Sequence, residues 1–345
     1  MLLVLLLAGV IWGAGVLMNA PKRMRWTMIG ILYVGVLLEH LVLPDGHPLR
    51  MATGESPALW LLLGAAALLG MVYARGIRWL KTRAQPAEAE TDAAPGAFRD
   101  AELERYARHI VLRELGGPGQ KKLKDAKVLV IGAGGLGSPA LLYLAAAGVG
   151  TIGVIDDDEV DNANLQRQVI HRDESIGASK VFSAKATMEA LNPFITVLPY
   201  HRRLTEEIAV ELFAEYDLVL DGTDNFDTRY LANRSAVAAG IPLVSGALSQ
   251  WEGQISVFDP KNGAPCYECV FPVAPAPELA PSCAAAGVFG PLPGVVGTMM
   301  AAEAVKLIAG AGEPLRGRML LYDALYAETR QIALKSREDC PVCHG

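Results

Sequence analysis

The run Lys127-Val-Leu-Val-Ile-Gly132-Ala-Gly134-Gly135-Leu-Gly137 constrains this chain more than any other stretch. An apolar strand leads straight into a glycine-rich turn, and the turn opens a helix-length segment, Ser138–Ala147. Such a turn lets backbone N–H groups approach phosphate oxygens with no side chain between, and the positive end of the following helix favours the anion. Tight strand-to-helix packing uses the same glycines, so the surrounding sequence has to decide.

Further strand-like runs come at Ile152–Ile155, Asp217–Leu220 and Pro242–Ser245, separated by helix-length segments such as Arg229–Ala239. This alternation predicts an α/β fold: a Rossmann-like, doubly wound, mostly parallel sheet covered on both faces. Ligands in such folds sit at the carboxyl ends of the strands, which gathers Gly132–Gly137, Asp156 and Asp221–Asn225 round one crevice. Glu102–Leu115 has helical spacing, and Gly116-Gly117-Pro118-Gly119 is expected to stop it ahead of a short basic helix. After Ser245, Gly253–Phe258 reads as a strand and a Pro-, Ala- and Gly-rich region without clear periodicity follows. A helix at Gly297–Ala309 and strands near Met319–Tyr322 and Arg330–Leu334 close the chain.

Asp156 ends the second strand 19 residues after Gly137, where a dinucleotide fold keeps the carboxylate that grips ribose hydroxyls. To this point NAD fits as well as ATP. Arg167 and Lys180 separate the two, because phosphate transfer needs cations to offset negative charge whereas hydride transfer needs a neutral nicotinamide pocket. Asp221-Gly-Thr-Asp224-Asn225 has two readings: a carboxylate for Mg2+, or an Asx turn and helix N-cap supplied by Asn225 or Asp227. No G-x-x-x-x-G-K-[ST] is present, which excludes a P-loop enzyme.

The apolar content of 52% is concentrated at the front. Met1–Met18 and Ala58–Ala74 carry no charge, and Trp26–Val42 carries only Glu39 and His40. Each run is long enough for a bilayer, which takes about 17–25 residues. Lys22, Arg23 and Arg25 follow the first run, opposite to a signal peptide. Arg75, Arg78, Lys81 and Arg83 follow the third, while Pro44–Pro57 holds Asp45 and Glu55 against a single Arg50. The positive-inside rule then predicts a multi-pass anchor in the cytoplasmic membrane, with the N-terminus outside and the later residues in the cytoplasm. The expected organisation is a membrane anchor over 1–83 with three transmembrane helices (about 1–18, 26–43 and 58–80), a linker over 84–97, and one cytoplasmic domain over 98–345. Net charge is −6 and the domain has no long basic run, which argues against nucleic acid as a partner.

The cysteines number five. Cys266-Tyr-Glu-Cys269 and Cys340-Pro-Val-Cys343 form two C-x-x-C pairs far apart in sequence, as in a tetrahedral four-cysteine Zn2+ site. Cys340-Pro-Val-Cys343-His344 also matches a c-type haem attachment motif, but that chemistry is extracytoplasmic and the charge topology places these residues inside. A redox dithiol would leave the second pair unexplained. Cys283 stands alone in the irregular region, where a lone cysteine is more often a small buried hydrophobe than a nucleophile.

Taken in order and spacing, Gly132–Gly137, Asp156, Asn164-Leu165-Gln166-Arg167-Gln168, Lys180 and Asp221–Asn225 resemble the MoeB/ThiF/HesA adenylyltransferases, relatives of ubiquitin-activating enzymes, over roughly residues 98–345. The resemblance implies ATP-dependent activation of the C-terminal Gly-Gly carboxylate of a small ubiquitin-like sulfur-carrier protein, giving an acyl-adenylate and pyrophosphate. It implies that Gly135 and Asp156 bind ATP phosphate and ribose, that Asn164, Arg167 and Lys180 contact the triphosphate, and that Asp224 holds Mg2+. Gly132, Gly134, Gly137, Leu165, Gln166 and Asn225 complete the implied nucleotide contacts. Arg108, in a segment resembling the family's N-terminal helix, is implied to reach the partner's ATP in a homodimer, and Cys283 to form a thioester or persulfide. The apolar front and the absence of a rhodanese-like domain after Cys343 depart from the pattern and leave the sulfur source open. A molybdopterin pathway is the first expectation; thiamine-type carriers, a tRNA-modifying relative, or a non-catalytic membrane-bound nucleotide or redox sensor are the rivals.

Overall fold

The computed structural model describes residues 2–18, 20–54, 56–84, 97–276 and 286–344. The chain divides into two compact units, Met1–Asp92 and Ala93–Gly345. In the first, apolar sequence becomes helix: α1 (Leu2–Leu17), α2 (Lys22–Val42), the short α3 (Pro48–Thr53) and α4 (Ala58–Ala84). Val4, Val36 and Trp60 form its small core. The Tyr33 hydroxyl donates to the Trp60 carbonyl at 2.6 Å, and the Thr53 hydroxyl donates to Glu39 Oε1 at 3.1 Å beside buried His40. Most of the leucines of α1 and α4 lie exposed. Lys22–Val42 and Ala58–Ile77 are long and apolar enough to cross a membrane by length and composition; α1, with 16 residues, is shorter.

In the second unit, α5 (Asp100–Ile110) and α6 (Gly116–Asp125) lead into β1 (Lys127–Ile131). The expected helix Glu102–Leu115 therefore ends at Ile110, and Gly116–Gly119 begins a helix instead of stopping one. Pro118 falls in the first turn of α6, where a missing N–H costs nothing. The elements that follow are α7 (Gly137–Ala147), β2 (Thr151–Ile155), α8 (Lys180–Leu191), β3 (Thr196–Tyr200), α9 (Glu206–Phe213), β4 (Leu218–Asp221) and α10 (Phe226–Ala239). Then come β5 (Leu243–Leu248), β6 (Glu252–Phe258), α11 (Tyr267–Val270), α12 (Pro291–Ala309), β7 (Arg318–Asp323) and β8 (Glu328–Ala333).

The strands form one eight-stranded sheet in the order β3-β2-β1-β4-β5-β6-β7-β8. The first five in that order pair in parallel and the last three are added antiparallel. Side chains alternate along β1, so Val128 and Val130 enter one core while Leu129 and Ile131 enter the other. On the first face pack Leu141 and Leu144 of α7, Met188 of α8, and Val296 and Met300 of α12; on the second, Phe213 of α9 and Ala232 and Ala236 of α10. Each fully buried Leu, Ile or Val stabilises by about 1.5–3 kcal/mol. This is the doubly wound α/β architecture expected, and β1 lies between β2 and β4, where the strand order reverses and a ligand crevice opens. In the sequence, β3 has no clear strand pattern. Pro199 interrupts its pattern, and the strand tolerates it because β3 is an edge.

Candidate functional site

At the carboxyl ends of β1, β2 and β4 lies a cavity of about 820 Å3 lined by Gly132, Gly134, Gly135, Asp156, Arg167, Lys180 and Asp224, among others. The turn after β1 needs glycine for separate reasons. Gly132 has φ of +90°, in the left-handed region. Gly137 is buried so closely that a Cβ would run into the Gly132 carbonyl oxygen. Gly137 does not line the cavity, so its part is to pack the turn rather than to touch phosphate. Gly134 and Gly135 face the opening, and a Cβ on Gly135 would stand 3.1 Å from Pro293 of α12.

Asp156 is held against this turn. Its Oδ2 accepts from the Ala133 N–H and its Oδ1 from the Asp158 N–H, both at 2.8 Å. Burial pushes its pKa up, opposed by the Lys180 charge and by those two donors. Beyond it, a short 3-10 turn at Asn162–Asn164 sets the facing of the next stretch. Arg167 Nη2 donates to Asn164 Oδ1 at 2.7 Å, and Asn164, Arg167 and Gln168 line the cavity. Leu165 and Gln166 do not: a helical turn repeats every three to four residues and carries these two away. Lys180, 4% exposed at the start of α8, reaches the cavity with Nζ 2.6 Å from Asp158 Oδ2.

The two carboxylates after β4 have different fates. Asp221 is fully buried and spent: Oδ1 accepts from the Thr223 N–H and hydroxyl at 3.0 and 2.6 Å, and Oδ2 from the Ser245 hydroxyl at 3.0 Å with Arg229 Nε at 3.4 Å. Asp224 is exposed, lines the cavity, and has no hydrogen bond or ion pair among the described residues. A free carboxylate beside a phosphate cradle suits Mg2+, which takes one or two carboxylates plus substrate oxygens. Asn225 also lines the cavity, but its side chain accepts from the Thr228 N–H at 2.9 Å and caps α10.

His171 was not foreseen. Its Nε2 lies 2.9 Å from the Ala133 carbonyl and its Nδ1 3.0 Å from Ser183 Oγ. A carbonyl only accepts, so Nε2 carries the proton and Nδ1 accepts from the serine. Burial lowers its pKa, with a smaller push from Lys180, against the raising effect of the Ala133 hydrogen bond. A neutral imidazole thus braces the glycine turn. Nothing in local sequence signals this, since its partners lie far along the chain.

The four cysteines converge away from this cavity. Sγ atoms are 3.8 Å apart for Cys266–Cys269, 3.6 Å for Cys266–Cys340 and 3.4 Å for Cys269–Cys343, and all four lie within 4.8 Å of one another. A tetrahedron with Zn–S bonds of about 2.3 Å has S···S edges near 3.8 Å, whereas a disulfide needs about 2.05 Å. The donor set therefore fits Zn2+. The Tyr267 N–H donates to Asn233 Oδ1 at 2.8 Å and fastens the first pair to α10. Burial pushes the Cys266 thiol up, and a bound cation would reverse that preference by favouring the thiolate.

Arg108 lies exposed on α5 and outside the cavity lining. Cys283 falls outside the described residues.

A family model described as the ThiF family matches residues 106–342. The chain is 51% identical over 246 residues to the sulfur carrier protein adenylyltransferase of Thermus thermophilus, covering 70% of this chain and 91% of that protein. It is 52% identical over 248 residues to the probable adenylyltransferase/sulfurtransferase MoeZ of Mycobacterium tuberculosis, covering 71% of this chain but only 63% of that protein. Among solved structures, Escherichia coli MccB with MccA-N7isoASN superposes with a TM-score of 0.62 at 24% identity, over 73% of this chain and 76% of that one. At that identity the likeness is one of fold.

Proposed function

This chain belongs to the ThiF family, and on that premise we propose that it is an ATP-dependent adenylyltransferase. Its substrate is the C-terminal Gly-Gly carboxylate of a small ubiquitin-like sulfur-carrier protein, in molybdopterin synthesis or a related sulfur-incorporating pathway. One observation carries the reading: a single cavity gathers the glycine turn, Asp156, two cations at Arg167 and Lys180, and the uncommitted carboxylate of Asp224.

Backbone amides of Gly134 and Gly135 cradle the phosphates, and Asp156 accepts from the ribose. The carrier carboxylate attacks the α-phosphorus, its oxygen forms the new P–O bond, and the bond to the leaving pyrophosphate breaks. Two anions meet in that step, so Lys180 and Arg167 offset their repulsion while the turn fixes the approach. Mg2+, when held by Asp224, supplies further charge for the phosphate oxygens. Zn2+ on Cys266, Cys269, Cys340 and Cys343 is structural and ties the C-terminus to α10.

The working form is a homodimer in which Arg108 of each protomer reaches the other's nucleotide. The Cys283 thiolate attacks the acyl carbon of the adenylate, forming a thioester as the bond to AMP breaks, or, once a sulfane-sulfur donor has loaded it, attacks as a persulfide with the same release of AMP. The N-terminal helices anchor the enzyme in membrane lipid with the catalytic unit in the cytoplasm. Tethering would concentrate it near a membrane-bound partner.

Pyrophosphate exchange tests this reading. The full chain in detergent should exchange labelled pyrophosphate into ATP only when a carrier ending in Gly-Gly is present. Asp224→Ala should lower that exchange by at least about a hundredfold. ATP binding without exchange for any Gly-Gly carrier would instead favour a nucleotide sensor.

A further inference from the structure

Lys180 is a buried cation whose placement needs a cause. Its backbone N–H donates to the Asp158 carbonyl at 3.0 Å, the Val160 N–H to Ala178 O and the Gly177 N–H to Val160 O, each at 2.8 Å. A bridge between Glu159 and Ser179 completes the zipping of 158–160 to 177–180. These bonds fix where the lysine is rooted. They do not decide where its ammonium goes, because four side-chain torsions lie between.

Three acidic groups, Asp156, Asp157 and Asp158, line the same wall. Asp156 already accepts one N–H on each oxygen, from Ala133 and Asp158, and keeps one acceptor site on each for a ligand. Among the described residues, only Asp158 comes within ion-pair distance of Lys180 Nζ, at 2.6 Å. The lysine side chain is 5% exposed and that of Asp158 is 65% exposed, so the carboxylate stands at the rim and the ammonium inside it. An ammonium has three N–H donors, and among the described residues this one spends one of them, on Asp158. The remaining donors are available to anionic oxygens in the cavity.

We propose that Asp158 is the positioning residue for Lys180: it draws the ammonium into the cavity, supplies the counter-charge a buried cation needs, and leaves donors free for the phosphates. The proposal rests on the ATP-site reading above. It also joins the two ends of the nucleotide, because the Asp158 N–H donates to Asp156 while its carboxylate holds Lys180. The ribose carboxylate and the phosphate cation are thereby set by one three-residue segment. Asp158 itself stands at the rim, so water screens part of the pair and softens, without removing, the stability cost of losing it.

A double-mutant cycle on ATP affinity tests it, with the full chain in detergent, calorimetric titration of ATP and Mg2+, and no carrier present. Asp158→Asn should weaken ATP by about tenfold and Lys180→Ala by at least as much. The double variant should bind no more weakly than Lys180→Ala alone, and Asp158→Glu should recover most of the loss at an unchanged melting temperature. Wild-type affinity in Asp158→Asn, or losses that simply multiply in the double variant, would overturn the proposal. So would full recovery of Asp158→Asn by raised Mg2+, which would make Asp158 a cation ligand. The titration needs no carrier, so a wild-type enzyme that binds ATP but shows no pyrophosphate exchange defeats the adenylyltransferase reading and leaves this inference standing.

Discussion

The helices Pro291–Ala309 and Lys22–Val42 have nearly the same mean hydropathy, 1.4 and 1.3, yet the most apolar stretch of the first is 50% buried and that of the second 11%. Ala58–Ile77, at 1.7, is buried by only 6%. Apolarity says that a surface must leave water, not what will cover it. For Pro291–Ala309 the chain supplies the cover: Val296, Met300 and Ala304 pack on the sheet, and Gly297 lies so close to Leu136 and Pro139 that a Cβ would collide. The N-terminal unit offers its helices far less, with Val4, Val36 and Trp60 as its buried apolar core and open space around Gly9 and Gly13. Under the membrane reading, lipid covers the rest.

A carboxylate placed in each kind of helix should break or confirm this contrast. Met300 is fully buried in the core on the first face, so Met300→Asp would bury an unpaired charge at a cost of several kcal/mol. The catalytic unit should lose its cooperative thermal transition and its ATP binding. A variant that melts like wild type would mean that this helix is not packed as described. Leu62 of α4 is 66% exposed. Leu62→Asp should leave the melting of the catalytic unit unchanged and cost membrane insertion up to about 3 kcal/mol, less than at a helix centre, read as a larger fraction of the chain released by alkaline extraction. If wild type is already released, the membrane reading fails.

The contrast also shows what sequence could reveal. Runs such as Val128–Ile131 were legible because a buried parallel strand is apolar on both faces, and the phosphate turn because only glycine satisfies it. Asp156, Arg167, Lys180 and Asp224 were legible as residue types suited to one chemistry, and they line one cavity. What stayed hidden depends on distance or orientation. The edge strand β3 is disguised by Pro199. Leu165 and Gln166 share a motif with Arg167 but not its side of the turn. Asp158 lies 22 positions from Lys180, and His171 lies 38 positions from Ala133. Those partnerships exist only once the sheet has brought the segments together.

The smallest expected effect concerns that same histidine, and it separates the two units by pH. Burial lowers the folded-state pKa of His171 below its ordinary value of 6.5, so the unfolded chain binds more protons in the window between the two values. Stability from the neutral imidazole is then complete above 6.5 and is lost as pH falls through the window. Asp156 acts with the opposite sign, its raised pKa favouring the fold towards the acid side of its own window above 3.8. Thermal melts of the full chain at about pH 7.5 and about pH 5.5 should therefore show the catalytic unit weakening in acid. His171→Gln should flatten the dependence by removing the titrating group that braces the Ala133 carbonyl. Membrane retention of the N-terminal helices should change far less between the same two conditions, because most of the surface they would bury in lipid is apolar and carries no proton linkage. An acid sensitivity that persists undiminished in His171→Gln would assign the effect to other groups and remove His171 from the support of the glycine turn.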